Sequence, residues 1–205
     1  DGLFSEKIPA DGKLTLTGLS VQPWNAEHPT LYSLTLALPE SAGGHALTLR
    51  IGFRHVVFDP VHGVSVNGES VKMKGVCLHH DGGCVGSAVT GSLLRKRLEL
   101  LKSIGCNAIR TSHNIVSTEM LDLCDELGFY VLDEAFDKWV HGSYSRFFET
   151  DIENDLKWML LRDRHRPCVV MWSMGNEIND QGSASMLAIL KRLCDITRSL
   201  DDRPI

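Results

Sequence analysis

After Val71 the chain alternates four times between an apolar, strand-like run and a helix-like stretch, and each run ends in polar, titratable residues. Val71–His79, Asn107–Thr111, Phe129–Leu132 and Cys168–Met174 read as the strands. Ser92–Ile104 places Leu94, Leu98 and Leu101 on one helical face and stops at Gly105. Ser117 is placed to cap a second helix, which carries Met120, Leu121, Cys124 and Leu127 and ends at Gly128. Asp151–His165 keeps Ile152, Leu156, Met159 and Leu160 in helical register until Pro167 forbids continuation. Ala184–Leu200 is the fourth helix, and Arg203–Ile205 reads as the start of a fifth strand. Successive βα units imply a parallel sheet with right-handed crossovers, either doubly wound or closed into a (β/α)8 barrel.

The strand tails carry the functional signal. They run into His79-His80-Asp81, Arg110-Thr111-Ser112-His113-Asn114, Asp133-Glu134 and Gly175-Asn176-Glu177. Apolar strand bodies with polar carboxyl ends are what a barrel needs to place its chemistry at that rim. Neither a GxGxxG nor a GxxxxGK[ST] loop follows any strand, so dinucleotide and phosphate-loop functions lack support.

The first sixty residues have another texture. Lys13–Thr17, Leu31–Leu38, Ala46–Arg50 and His55–Phe58 alternate or are β-rich between Gly, Pro and Asn breaks, as half-buried antiparallel strands do. About four strands are too few for a closed β-sandwich of about seven, so this region reads as the back half of one. Lys and Arg number 21 against 26 Asp and Glu, a net charge of −5. That charge argues against a nucleic-acid partner or an anionic membrane surface, both of which need concentrated positive charge. Six cysteines without a CxxC pair are expected to be reduced, and Cys77, Cys106, Cys124, Cys168 and Cys194 to pack as small hydrophobes. Cys84 with His79 and His80 lacks an evident fourth zinc ligand, so no metal is expected there.

Val169-Val170-Met171-Trp172-Ser173-Met174-Gly175-Asn176-Glu177, preceded by Arg162-Asp163-Arg164-His165-Arg166-Pro167, resembles the acid/base signature of glycoside hydrolase family 2. Asn107 to Asn114 resembles that family's second signature. Lys74 to Asp81 and Asp133 to Trp139 resemble segments of its β-galactosidase-like members. Pro23-Trp24, Pro29 to Tyr32 and Gly52-Phe53-Arg54 resemble the end of the immunoglobulin-like β-sandwich that precedes the family's barrel. The resemblance therefore implies residues 1–60 as the end of that immunoglobulin-like domain and 61–205 as the first four βα units of a (β/α)8 TIM barrel.

It also implies a retaining β-glycosidase acting on terminal β-galactosides. A β-glucuronidase, a β-mannosidase and a non-catalytic carbohydrate-binding module are the alternatives. Glu177 maps onto the acid/base, while the nucleophile follows a seventh strand that this chain does not reach, so the chain alone is expected to have no appreciable turnover. Asn176 would hold the sugar's 2-hydroxyl, and His79 and His113 would line the sugar subsite. Asp81 would bind hydroxyls or cap a turn. Trp139 would be a stacking platform or core. Arg110 would orient acidic neighbours, with Glu134 as its structural partner. No cofactor is implied. The metal-dependent members carry Glu and His where Lys138 and Trp139 stand, and an ammonium repels a divalent cation, so no magnesium is expected beside Glu177. His165-Arg166 replaces the usual Asn-His, and Ile115 replaces a frequent Pro. The expected partner is a β-linked carbohydrate, with self-association or a complementary segment to cover the open edges of a half barrel.

Overall fold

A computed structural model describes residues 5–9 and 12–205. Three separate sheets are formed. The first is a hairpin of β1 (Tyr32–Ala37) and β2 (Ala46–Ile51), antiparallel with Tyr32 opposite Ile51. The second joins β3 (Val56–Asp59), β4 (Gly63–Val66) and β5 (Glu69–Ser70), also antiparallel. Its β3–β4 hairpin runs straight across the expected domain boundary at residue 60. Residues 13–17 run as irregular chain instead of the expected strand. A period-two pattern makes a strand only where a neighbour supplies the ladder, and β1 and β2 pair with each other.

The third sheet is parallel, in the order β6 (Gly75–His79), β7 (Ala108–Ser112), β8 (Tyr130–Glu134) and β9 (Val169–Ser173). Helices α1 (Gly91–Ser103), α2 (Thr118–Leu127) and α3 (Ser145–Asp163) connect them, and α4 (Ala184–Leu200) follows β9. Thr90, Ser117 and Ser183 cap α1, α2 and α4 by accepting from the N–H three residues on. Helix α3 begins six residues before the expected start. Beyond β9, Trp172 N–H donates to Pro204 C=O, so the last residues lie where a fifth strand would start.

The core lies between the sheet and the helices. Leu94 and Leu98 of α1, Leu121 and Cys124 of α2, and Ile152, Leu156 and Met159 of α3 are buried against Ile109, Val131 and Val169. The other face of the sheet is open. Cys77, Arg110 and Leu132 are register partners on that face, and Cys77 is exposed there, against the expectation of a buried thiol. Strands β6 and β9 are both edges of the sheet, but β9 receives the last residues through Trp172 N–H on Pro204 C=O, whereas β6 stays largely exposed. Cys106, Cys124 and Cys168 are buried as expected; all six cysteines are free.

The amino ends of the parallel strands are plugged by earlier chain. Trp24 is 0% exposed. It donates its indole N–H to Asp125 C=O at 2.8 Å and packs edge-on against Tyr130. Lys102 donates to Ala26 C=O at 2.6 Å, and Arg54 to the carbonyls of Pro167 and Val169. Gly128 caps α2 at φ 78°, and a Cβ there would stand 2.2 Å from Ala26 O. Only glycine meets both conditions. The plugged end leaves the carboxyl ends of the strands as the open rim.

Candidate active site

Three strand tails, those of β7, β8 and β9, meet at that rim through one buried carboxylate. Glu134, last in β8, is 0% exposed. Its Oε2 accepts from Arg110 Nε and Nη2 at 2.9 and 2.7 Å and from Ser173 Oγ at 2.7 Å. Its Oε1 lies 2.6 Å from His113 Nδ1, and its N–H donates to Thr111 Oγ1. A buried carboxylate is tolerated when its lone pairs are satisfied, and here β7 with its tail and β9 supply the donors. Burial pulls the Arg110 pKa down, but Glu134 with Cys77 more than offsets it, so the guanidinium is held above its ordinary value.

Arg110 carries the network onward, donating from Nη2 to Asn176 Oδ1 at 2.8 Å. Asn176 Nδ2 donates to Asp137 Oδ1 at 2.9 Å, and the Asn176 N–H to Asp137 C=O at 2.9 Å. Lys138 Nζ lies 3.1 Å from both Asp137 carboxylate oxygens and 2.9 Å from Glu177 Oε2. Thus Arg110, His113, Glu134, Asn176 and Glu177 belong to one connected set.

Glu177 is the exposed member, its side chain 71% accessible. Its backbone sits at φ 45°, in the left-handed region that favours glycine. Strain of that kind gathers where a side chain must be aimed. The Lys138 ammonium holds its carboxyl below the usual carboxylate range. Asp137 is also held low, because the donors Asn176 and Lys138 outweigh its partial burial.

The remaining sequence candidates fall in different places. The rings of His79 and His113 meet edge to face at 5.0 Å. A cleft of ≈ 1100 Å³ opens over the strand ends, lined by His79, Asp81, His113, Asp137 and Tyr144 among others. Asn176 and Glu177 are not in its wall and join it through Asp137. Asp81 serves a turn, its Oδ1 accepting from Gly83 N–H at 2.7 Å, and its residue also borders the cleft. Trp139 is 4% exposed and spends its indole N–H on Met174 C=O at 2.7 Å. Of the two readings for Trp139, the structure places it in the core, beneath the rim. A Cβ on Gly175 would stand 2.5 Å from its indole nitrogen, so the indole and the glycine shape the turn before Asn176 together. Asp137 and Ser173 are the contributors that the sequence reading did not assign to the site, and Lys138, expected there only as a charge that repels a metal, is an ion-pair partner of Glu177. The adjacent charges Asp137 and Lys138, just after Glu134 in the sequence, were the available signal for that loop. Among the described residues no group of three or more His, Cys, Asp or Glu is arranged to hold a metal ion.

Comparison with known proteins decides the family. Residues 61–205 match the model of the glycosyl hydrolases family 2 TIM barrel domain. The chain belongs to glycosyl hydrolase family 2. It is 43% identical over 173 residues to the β-galactosidase BoGH2A of Bacteroides ovatus, covering 82% of this chain and 20% of that one. A crystal structure of a family 2 member from Bacteroides cellulosilyticus superposes with a TM-score of 0.86 at 37% identity, covering 91% of this chain and 25% of that one. The β-glucuronidase of Parabacteroides merdae superposes with a TM-score of 0.79 at 28% identity, covering 89% and 24%. The chain therefore spans about a fifth to a quarter of the length of these relatives. The parallel sheet and its helices are part of the family 2 barrel.

Proposed function

We propose that this chain supplies the acid/base half of a retaining β-glycosidase that hydrolyses terminal β-galactosides. The observation that carries the reading is the Asn176–Glu177 pair at the tail of β9, tied by Arg110 and Asp137 to the tails of β7 and β8. Glu177 would protonate the departing glycosidic oxygen and later take a proton from water. A second carboxylate, about 5–5.5 Å away in such enzymes, would attack the anomeric carbon, and we place it in chain beyond residue 205. The Asn176 amide keeps one N–H for the sugar's 2-hydroxyl after the other is given to Asp137. His79, His113 and Asp81 would line the subsite. Trp139 would act from below. Residues 1–60 are proposed as the end of an immunoglobulin-like domain and 61–205 as the first four βα units of the barrel. The named β-galactosidase relative supports the galactoside, and the Parabacteroides merdae structure keeps a β-glucuronide as the second reading.

The test uses the parent enzyme. Glu177→Gln is expected to lower kcat about 10²- to 10⁴-fold, the usual contribution of a positioned proton donor. The glycosylation step should suffer more with an alkyl leaving group than with dinitrophenolate, which leaves without a proton. Equal rates for wild type and variant on an alkyl galactoside would remove Glu177 from the chemistry. Rates on nitrophenyl β-galactoside, β-glucuronide and β-mannoside identify the sugar.

A further inference from the structure

Lys138 and Asp137 follow β8, yet their side chains bond only with the loop after β9 and with each other among the contacts that define the site. An isolated surface ion pair contributes little, because water screens it and two long side chains must be ordered. This pair is different in how it is anchored. The Lys138 ammonium is held on one side by both Asp137 oxygens at 3.1 Å and meets Glu177 Oε2 on the other at 2.9 Å. Asp137 is itself held by the Asn176 amide and by the Asn176 N–H on its carbonyl, each at 2.9 Å. The two loops are further joined by the Trp139 N–H on Met174 C=O. Trp139 and Glu177 both take positive φ, 49° and 45°, on the two sides of this junction. Two unfavourable backbone conformations are thus kept where one loop presents a cation to the other's carboxylate.

We propose that Asp137 and Lys138 are positioning residues: Asp137 orients the Asn176 amide, and the Lys138 ammonium fixes the Glu177 side chain and favours its carboxylate form. The inference rests on the reading of Glu177 as acid/base and adds what sets its place and protonation. The groups that face Glu177 electrostatically are Lys138 and Asp137 from the loop after β8 and His113 from the tail of β7. Lys138 has the largest influence, and it lowers the pKa. A donor held in this way spends more of its time as the base, the form that activates water. Full protonation then calls for further negative charge, which an approaching second carboxylate brings.

The experiment is a carbon-13 NMR titration of this chain with labelled glutamate, the Glu177 carboxyl being assigned by its absence in Glu177→Gln. In wild type it should titrate below the ordinary glutamate value of about 4.3. Lys138→Met should raise the midpoint, as loss of an opposite charge beside a carboxylate does, and Lys138→Arg should bring it back down. Asp137→Ala should speed hydrogen exchange of the Asn176 side-chain amide. In the parent enzyme, Lys138→Met should move the basic limb of the kcat/KM profile upward by a similar amount, with KM within about twofold of wild type if the pair acts through Glu177. A Glu177 midpoint that is the same in wild type, Lys138→Met and Lys138→Arg overturns the proposal. The titration needs no turnover, so it stands apart from the Glu177→Gln kinetics: a moved midpoint with unimpaired Glu177→Gln activity would support the positioning and reject the acid/base reading. Melting curves of the variants check that each is folded.

Discussion

Asp133→Asn is expected to make the protein more stable at pH 8 and to flatten its stability between pH 4 and 7. Asp133 is fully buried in β8, next to Glu134. Its Oδ1 accepts from Thr111 Oγ1 at 3.2 Å, but its Oδ2 meets no donor. The neighbouring acid is Asp163 at the end of α3, whose two oxygens are already taken by Arg162 Nε and Nη2 at 2.7 and 2.6 Å. Two buried carboxyls side by side cannot both ionise cheaply. A proton on Asp133 turns the repulsion into a hydrogen bond to Asp163. Burial, followed by the Asp163 charge, raises the Asp133 pKa from 3.8 to about 7, against the opposing pull of Thr111 and Arg162. The sign follows from proton binding: between the unfolded and folded pKa values the folded state holds more protons, so stability falls as pH rises. The contribution is complete below about pH 4 and gone above about pH 7, and it amounts to at most ~4 kcal/mol. Asparagine keeps the acceptor for Thr111 and donates permanently to Asp163. Urea midpoints at pH 5 and pH 8 decide the matter. A wild-type midpoint that does not fall between them, or an equal fall in Asp133→Asn, refutes the shared proton.

Asp125→Ala is expected to cost about 3–5 kcal/mol, the range seen when one partner of a buried ion pair is removed. Asp125, near the end of α2, is 1% exposed. Its Oδ1 accepts from the Cys168 N–H at 2.9 Å, and its Oδ2 lies 3.2 Å from Arg166 Nη1. Arg166 also meets Asp122. Burial holds the Asp125 carboxyl above its ordinary range in spite of these donors, so the pair is not strongly stabilising in itself. The expense lies in breaking it. Alanine would strand the Cys168 N–H just before β9 and leave Arg166 with the exposed Asp122 and, at 3.9 Å, Asp163. Asp125→Asn, which keeps the acceptor for Cys168, should lose less. A loss below about 1 kcal/mol in Asp125→Ala, measured by urea unfolding, would show that water or a shifted Arg166 replaces the carboxylate.

The departures from the sequence reading trace to contacts between residues far apart in the chain or to what covers a strand. Asp122 and Asp125 explain the Arg at 166: it stands where the family usually has His, and here it bridges α2 to the approach of β9. An indole suits both stacking and packing; the Trp139 ring is 4% exposed, and its N–H meets Met174 C=O, 35 residues away. Cys77 sits in an apolar run, but burial depends on what lies over a strand, and Cys77 stands on the open face of an exposed edge strand. The residues 13–17 alternate as a strand should and yet take no place in a sheet.

The amino-acid sequence by itself determined the four βα units, their order and the polar character of each strand tail. Periodicity, caps and glycine stops act over a few residues, and the Asn176–Glu177 signature is contiguous. Tertiary structure alone decided that Glu134 gathers Arg110, His113 and Ser173, that Trp24 plugs the opposite end, and that Asp137 holds Asn176. Those contacts join residues 21 to 101 positions apart. No local pattern encodes such a distance; it exists only once the strands lie side by side and their ends are brought within hydrogen-bonding reach.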